Sequence, residues 1–452
     1  MKKTSRAVLL LLSLASLSNA ADPTTIAEAF KNGKWDGRVR FQYFFTDWDD
    51  NSVATGKGAD DGKGTAIGGS IIYKTAPFYG LSLGAGLYTT QNFFNITDPE
   101  DGTGATTSKD LFLRDIGAQY GDGFTVLAQS YMQYDVSKSK VKAGRFLVTN
   151  PWITPNDTKM IPVAASGIDI TISEIPNTVI QFDYLNKIKE RGESFFGNLT
   201  TAGDVPTKIA AYYTTHNAPD VMIAGVKNKS IDALELSAWG MYWDDIVAQG
   251  LVEANYAFEI GDEAIVSLGA RYIKQFDKGA GDMILPQINN NDSDNSINTS
   301  TIMGRVVVNY ESAKLLFAAS KTDDGGDLLA PWRGFPTDGY TRSMTQTDWN
   351  AGTKAYKVGL DYDWSNILFK GITTSLSYAH YNRDEIKKPY QNMTDRNFQN
   401  GDTDQYNLDV IYKPSKSYEF KARFMDQKND ETTAYPKNSS NREMRLEANY
   451  RF

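Results

Sequence analysis

Along most of this chain apolar and polar residues change places at every second position, and no other feature limits its possible folds so tightly. In the stretch 441–452, Met444, Leu446, Ala448, Tyr450 and Phe452 alternate with Glu443, Arg445, Glu447, Asn449 and Arg451. Successive side chains of a β-strand point to opposite faces, so this period marks a strand that is apolar on one side and wet on the other. The pattern recurs. Val39, Phe41, Tyr43 and Phe45 oppose Arg38, Arg40 and Gln42; Ile302, Gly304, Val306, Val308 and Tyr310 oppose Thr301, Arg305 and Asn309. Tyr406, Leu408, Val410 and Tyr412 oppose Gln405, Asn407, Asp409 and Lys413; Tyr418, Phe420, Ala422 and Phe424 oppose Glu419, Lys421 and Arg423.

Counted this way, strands fall near 38–47, 66–74, 80–90, 124–134, 139–147, 168–174, 178–188, 221–228, 231–243, 246–259, 263–275, 300–310, 313–321, 354–363, 371–382, 403–413, 416–426 and 441–452. The segment 207–214 offers a further strand, and 23–33 a short helix ahead of the first one. Connections differ sharply in length. Links such as "EIPN", "KNKS" and Lys413-Pro414-Ser415 are tight, whereas eight polar connections (48–65, 91–123, 148–167, 189–220, 276–299, 322–353, 383–402 and 427–440) run to roughly 14 to 33 residues, more than a soluble sandwich carries.

Alternation alone does not say which face meets water. In a sandwich the apolar stripe faces a core; in a membrane barrel it faces lipid and the polar stripe lines the lumen. Three features favour the barrel. Stripes end in aromatic residues (Tyr73, Tyr272, Tyr310, Tyr412, Tyr450), as interfacial girdles do. Lone Arg or Lys residues stand in the middle of polar faces. The chain closes on Phe452 with Tyr450 two before it, like the sorting signal by which barrel assembly machinery takes up its clients. Closure has its own physical reason, because an open sheet edge in lipid leaves amides unpaired at several kcal/mol each.

Residues 1–20 pair Lys2, Lys3 and Arg6 with an apolar run from Ala7 to Leu17 and end in Ser18-Asn19-Ala20, the form of an export signal cleaved after Ala20. Cleavage leaves 432 of the 452 residues and takes the net charge from −8 to −11. That acidic balance, with no basic run, argues against nucleic-acid binding. The absence of cysteine leaves stability to the backbone ladder and to burial. The reading is an all-β, transmembrane antiparallel β-barrel of about 18 strands, with short periplasmic turns and long external loops. Residues 21–452 form one domain that opens with a short segment, 21–36. Outer-membrane lipid and lipopolysaccharide surround it.

With the stripes turned to lipid, Arg38, Arg40, Arg271, Arg305, Lys421, Arg423 and Arg445 point inward. Fixed cations on a lumen wall focus the field on anions, and guanidinium matches carboxylate with two parallel hydrogen bonds. Asp409, Glu419, Glu443 and Glu447 share those faces and could instead pair with the cations and brace the wall. Around "VKAGRF", either Lys140 and Lys142 or Arg145 turn inward. Two loops are candidates for the constriction. Loop 148–167 is stiffened by Pro151, Pro155 and Pro162 and offers Asp157 and Lys159; loop 322–353 offers Trp332, Arg333 and Tyr340. No catalytic set emerges. Ser377 and His380 are three apart and fall on opposite faces of a strand, and neither a zinc spacing nor a phosphate-cradling loop is present, so no cofactor and no metal is expected.

The chain resembles the OprD family of outer-membrane porins. "KAGRFLVTNPWITPNDTKMIPVAASG" (142–167) is similar to that family's strand-to-loop segment, with Asn156-Asp157-Thr158-Lys159-Met160-Ile161-Pro162 at its core and Lys159 in place of the usual Arg. "NAGTKAYKVGLDYDW" (350–364), "KGITTSLSYAHYNRD" (370–384), "YEFKARF" and "REMRLEANYRF" are similar to late strands, with His380 before Tyr381 where an Arg is usual. The resemblance implies an 18-stranded monomeric channel for small, often carboxylate-bearing solutes, with in-folded loops and a basic row that His380 would join. The competing function is a structural or adhesive surface barrel with an occluded lumen.

Overall fold

A computed structural model describes residues 23–48, 62–93, 111–113, 121–202, 205–261, 263–284, 296–329, 331–332, 339–383, 402–430 and 440–452. The strands are β1 (Lys34–Trp48), β2 (Gly62–Lys74), β3 (Leu81–Asn92), β4 (Phe124–Val136), β5 (Ser139–Phe146), β6 (Ala164–Ile172), β7 (Thr178–Lys189), β8 (Val221–Ile231) and β9 (Leu234–Trp243). They continue as β10 (Val247–Ile260), β11 (Ala264–Asp277), β12 (Thr299–Tyr310), β13 (Ala313–Thr322), β14 (Lys354–Asp363), β15 (Ile372–Asn382), β16 (Thr403–Tyr412), β17 (Tyr418–Asn429) and β18 (Asn441–Arg451). Each pairs antiparallel with its sequence neighbours, and β18 pairs with β1 over Arg38–Trp48, so the sheet closes into an 18-stranded barrel. The Phe452 and Gly37 backbones exchange hydrogen bonds of 2.9 and 3.0 Å at the seam. Gly69 brings β2 against β1 with φ at 146°, where a Cβ would lie 1.8 Å from the Arg38 carbonyl oxygen.

Every strand read from alternation is present. The segment 207–214 is instead part of a helix, α2 (Thr207–Tyr212). Pro206 sets φ at −53° at its entrance, alanines fill its middle, and β7 and β8 already pair with each other, which leaves no edge for another strand. Helix α1 (Ile26–Lys31) precedes β1 as expected, capped by Thr25, whose side chain accepts from the Glu28 amide at 3.1 Å. A third helix, α3 (Ala280–Ile284), follows β11. The export signal at 1–20 lies outside the described residues.

The phase is that of a membrane barrel. Val39, Leu83, Val252, Leu268, Ile302, Leu315, Leu360, Leu376, Phe420 and Leu446 are exposed on the outer surface, while Arg40, Gln42, Gln249, Gln275, Gln405, Glu419 and Asn449 are buried inside. Two register shifts, between Gly86 and Leu87 and between Ser166 and Gly167, reverse the phase toward the long-loop end of β4 and β7. As a result Val126 and Ala128, and on the other hairpin Ile188, turn inward. The interior is not uniformly wet. On one side of its upper half, loops and strand ends bury Trp152, Ile153, Trp243, Ile246, Val247, Ile273 and Trp332 in one apolar cluster.

Candidate functional site

The register that closes the barrel also writes charge across it. Asp409, Arg423, Arg445 and Phe44 are successive partners on β16, β17, β18 and β1. One step nearer the short-turn end the row is Ile411, Lys421, Glu447 and Gln42, and beyond it Glu419, Asn449 and Arg40. Neighbouring strands lie about 4.8 Å apart, so side chains along each row come within ion-pair reach. Arg423 meets Asp409 at 2.9 Å, Lys421 meets Glu419 at 3.0 Å and Glu447 at 3.6 Å, and Arg445 pairs with Glu443.

The loop between β5 and β6 folds in against this wall. The Asn150 side chain accepts from the Trp152 and Ile153 amides at 2.9 and 2.8 Å and turns the chain inward. Met160 and Ile161, fully buried beside Phe44, Ala66 and Phe112, fix its far side. Between these points Asp157, Thr158 and Lys159 lie across β1. Arg38 donates through Nη2 to Asp157 Oδ1 at 3.0 Å, and Arg40 donates through Nη1 to the same oxygen at 3.0 Å. Arg40 also meets the Lys159 carbonyl oxygen, and its Nε donates to Asn449 Oδ1 at 2.7 Å. Gln42 donates to the Thr158 carbonyl oxygen at 3.0 Å. The Lys159 ammonium sits 4.1 Å from the Phe44 ring centroid and the Arg445 guanidinium 5.2 Å from it. A cavity of about 250 Å³ remains between loop and wall, lined by Asp157 and Lys159 from the loop and by Lys421, Arg423, Arg445, Asp409 and Glu447 from the wall.

In a closed barrel of 18 strands, positions nine apart lie opposite, so β10–β12 face β1–β3 across the lumen. There Arg271 donates to Glu253 Oε2 from Nε and Nη2 at 3.0 and 2.7 Å, and Arg305 donates to Asn255 Oδ1 at 2.7 Å. Tyr340, carried in by the loop between β13 and β14, donates to Glu253 Oε1 at 2.6 Å. Its ring lies 4.9 Å from the Arg271 guanidinium and 4.1 Å from that of Arg305. Burial first, and the bond to Glu253 next, push the Tyr340 phenol well up, so it stays a donor. The same loop is tied to the late strands: the Tyr381 hydroxyl donates to the Thr341 carbonyl oxygen at 2.7 Å, Lys357 to that of Arg342 at 2.6 Å, and Gln346 Nε2 to Gln427 Oε1 at 2.8 Å.

Measured against the sequence, the seven strand cations all turn inward but form two groups on different walls, not one track. Each has a carboxylate within 4 Å. His380 is a correction. It shares the outward phase of Leu376 and Tyr378, stacks on exposed Tyr356 with ring centroids 5.0 Å apart, and meets Asp404 at 2.9 Å, so it belongs to the outer girdle. Ser377 faces inward, where it accepts from Asn407 at 3.4 Å, on the opposite side from His380. Trp332 is a second correction. It is 1 % exposed in the apolar cluster, 4.8 Å from Trp243, and not at the eyelet. Arg333 lies outside the described residues. Lys142 turns inward, 5.0 Å from the Tyr131 ring, while Arg145 is exposed and lies over Phe196. Sequence reasoning passed over Phe44, an aromatic residue in a polar row, and Glu253, whose role needs the register to be seen.

A closed barrel whose loops fold in around a charged eyelet has the architecture of an outer-membrane porin. The model of the outer membrane porin, OprD family, matches residues 100–452, and the chain belongs to that family. Solved structures agree in fold. OccK9 (OpdG) of Pseudomonas aeruginosa superposes with a TM-score of 0.74 at 16% identity, covering 94% of this chain and 99% of its own. OccAB3 of Acinetobacter baumannii gives 0.71 at 17% identity, covering 93% and 99%. OpdK of Pseudomonas aeruginosa, solved with vanillate, gives 0.71 at 16% identity, covering 94% and 99%. No curated protein matches in sequence. The chain is thus an outer-membrane β-barrel porin.

Proposed function

We propose that this porin is a passive, substrate-selective diffusion channel for small carboxylate-bearing solutes, and that the eyelet between loop 147–163 and β16–β18–β1 selects them. One observation carries the reading: Lys159 from the loop and Lys421, Arg423 and Arg445 from the wall converge on one small cavity, with Asp157 on the loop and Asp409 and Glu447 beside the wall cations. An incoming carboxylate can exchange partners with a wall carboxylate at little net cost, since such pairs are individually weak in a wet lumen. An uncharged solute of the same size gains nothing there. The vanillate in the OpdK structure is itself a carboxylate, which supports the class of solute. The family resemblance supports a monomer. Export by residues 1–20 and uptake by the assembly machinery through Phe452 complete the proposal.

The rival reading, an occluded structural or adhesive barrel, draws on the apolar loop packing around Trp152, Trp243 and Trp332. Planar-bilayer recording in a salt gradient separates the two. Discrete openings with an anion-leaning reversal potential, weakened in Arg423→Ala, are expected. A silent bilayer overturns the channel, and a cation-leaning potential overturns the basic eyelet.

A further inference from the structure

The outward surface of β7–β11 carries an apolar groove of about 560 Å³. Its floor is one register row in which Ala224 stands opposite Gly240 and Gly240 opposite Gly250. These positions share the outward phase of the exposed Met222, Tyr242, Val252 and Tyr272, so the groove opens on acyl chains and not on the lumen. Glycine weakens a strand interior and commonly marks a place where something else comes close. Nothing in the described protein asks for it here. A Cβ on Gly250 would meet no atom within 4 Å, and one on Gly240 only the Gln249 carbonyl oxygen at 4.0 Å. The row ends on Lys274, directly opposite Gly250. Lys274 lies three residues before the end of β11, next to the long connections and therefore toward the outer leaflet. It makes no ion pair among the described residues, and its ammonium stands 5.9 Å from the Phe276 ring.

We propose that this groove seats one acyl chain of lipopolysaccharide, the phosphorylated glycolipid of the outer leaflet, with the Lys274 ammonium on a headgroup phosphate. Charge and depth point to that occupant together. The row one step deeper, Val226, Ala238, Val252 and Tyr272, carries no charge, and the slot's only lining cation stands in the row nearer the long connections, toward the outer-leaflet phosphates. A long Lys side chain at this level snorkels toward the interface and meets them.

The test is native mass spectrometry of the full chain in detergent with diphosphorylated lipid A, run in parallel with phosphatidylglycerol at equal concentration. Wild type retains one lipid A in preference to phosphatidylglycerol. Gly250→Leu fills the slot without touching protein and loses that lipid, while its heat-modifiable gel mobility shows the barrel intact. Lys274→Gln retains lipid A about five-fold less well. Equal retention by wild type and Gly250→Leu overturns the groove. Equal retention of phosphatidylglycerol overturns the glycolipid, and an unaffected Lys274→Gln overturns the phosphate contact.

Discussion

Replacing Asp157 by Ala will loosen the loop at the eyelet without weakening the barrel. The Asp157 carboxylate accepts three bonds from two guanidinium groups: Arg38 through Nη1 and Nη2, and Arg40 through Nη1. A charge-assisted bond contributes about 1.5–3 kcal/mol when desolvated. This carboxylate keeps 39 % of its side-chain surface exposed, so solvent screening brings each bond down to about 1 kcal/mol. The sum, about 3 kcal/mol, shifts the balance between docked and released loop by about 150-fold. Arg40 keeps Asn449 and Glu447, and Met160 and Ile161 keep their apolar seat, so the loop frays at 156–159 and does not leave the lumen. In single-channel recordings the variant will conduct more and flicker more, and its gel-shift unfolding temperature will match wild type. Unchanged conductance and noise would refute the claim that Asp157 holds the constriction.

Tyr340→Ala will uncover Arg271 and Arg305 on the opposite wall, raise conductance and move the reversal potential further toward anions; a shift toward cations would sink that assignment. Because the chain has no cysteine, single cysteines at 420–423 report orientation directly. A charged thiol reagent will change the current of open Lys421→Cys and Arg423→Cys channels and leave Phe420→Cys and Ala422→Cys unmodified. Burial pushes the carboxyl of Asp348, within loop 339–349, well up from its ordinary range. A raised carboxyl disfavours the folded state once it must ionise, and that cost is absent below its unfolded value and grows as pH rises. Asp348→Asn will therefore unfold at a higher temperature than wild type near neutral pH, and the gap will close toward acid pH. A gap that widens in acid would reverse the sign of the argument.

Strand order, number and phase were legible because period-two alternation is local and lipid enforces it on every strand. Arg423 and Phe424 each declare a face. The site was half legible. Which residues point inward follows from phase, but which of them meet depends on register, and register is not written in any one strand. Glu253 meets Arg271 only because those two positions pair, and Phe44 enters the eyelet because its partner is Arg445. The family position points His380 inward, whereas the outward phase of Leu376 and Tyr378 on β15 turns it to the outer surface. The apolar plug was invisible for a further reason. Trp152 and Trp332 come from connections and Trp243 from the end of β9, all far apart in sequence, and long polar loops give no sign of a few residues that will pack together.

The account rests on fixed eyelet charges favouring small carboxylates. The most direct measurement is the rate of benzoate entry into proteoliposomes against an uncharged solute of equal size, for wild type and for the Arg423→Ala, Arg445→Ala double variant. Wild type will pass benzoate faster, and the double variant will lose that preference while still passing the uncharged solute. Equal rates for both solutes in wild type, or a preference that survives without Arg423 and Arg445, would contradict it.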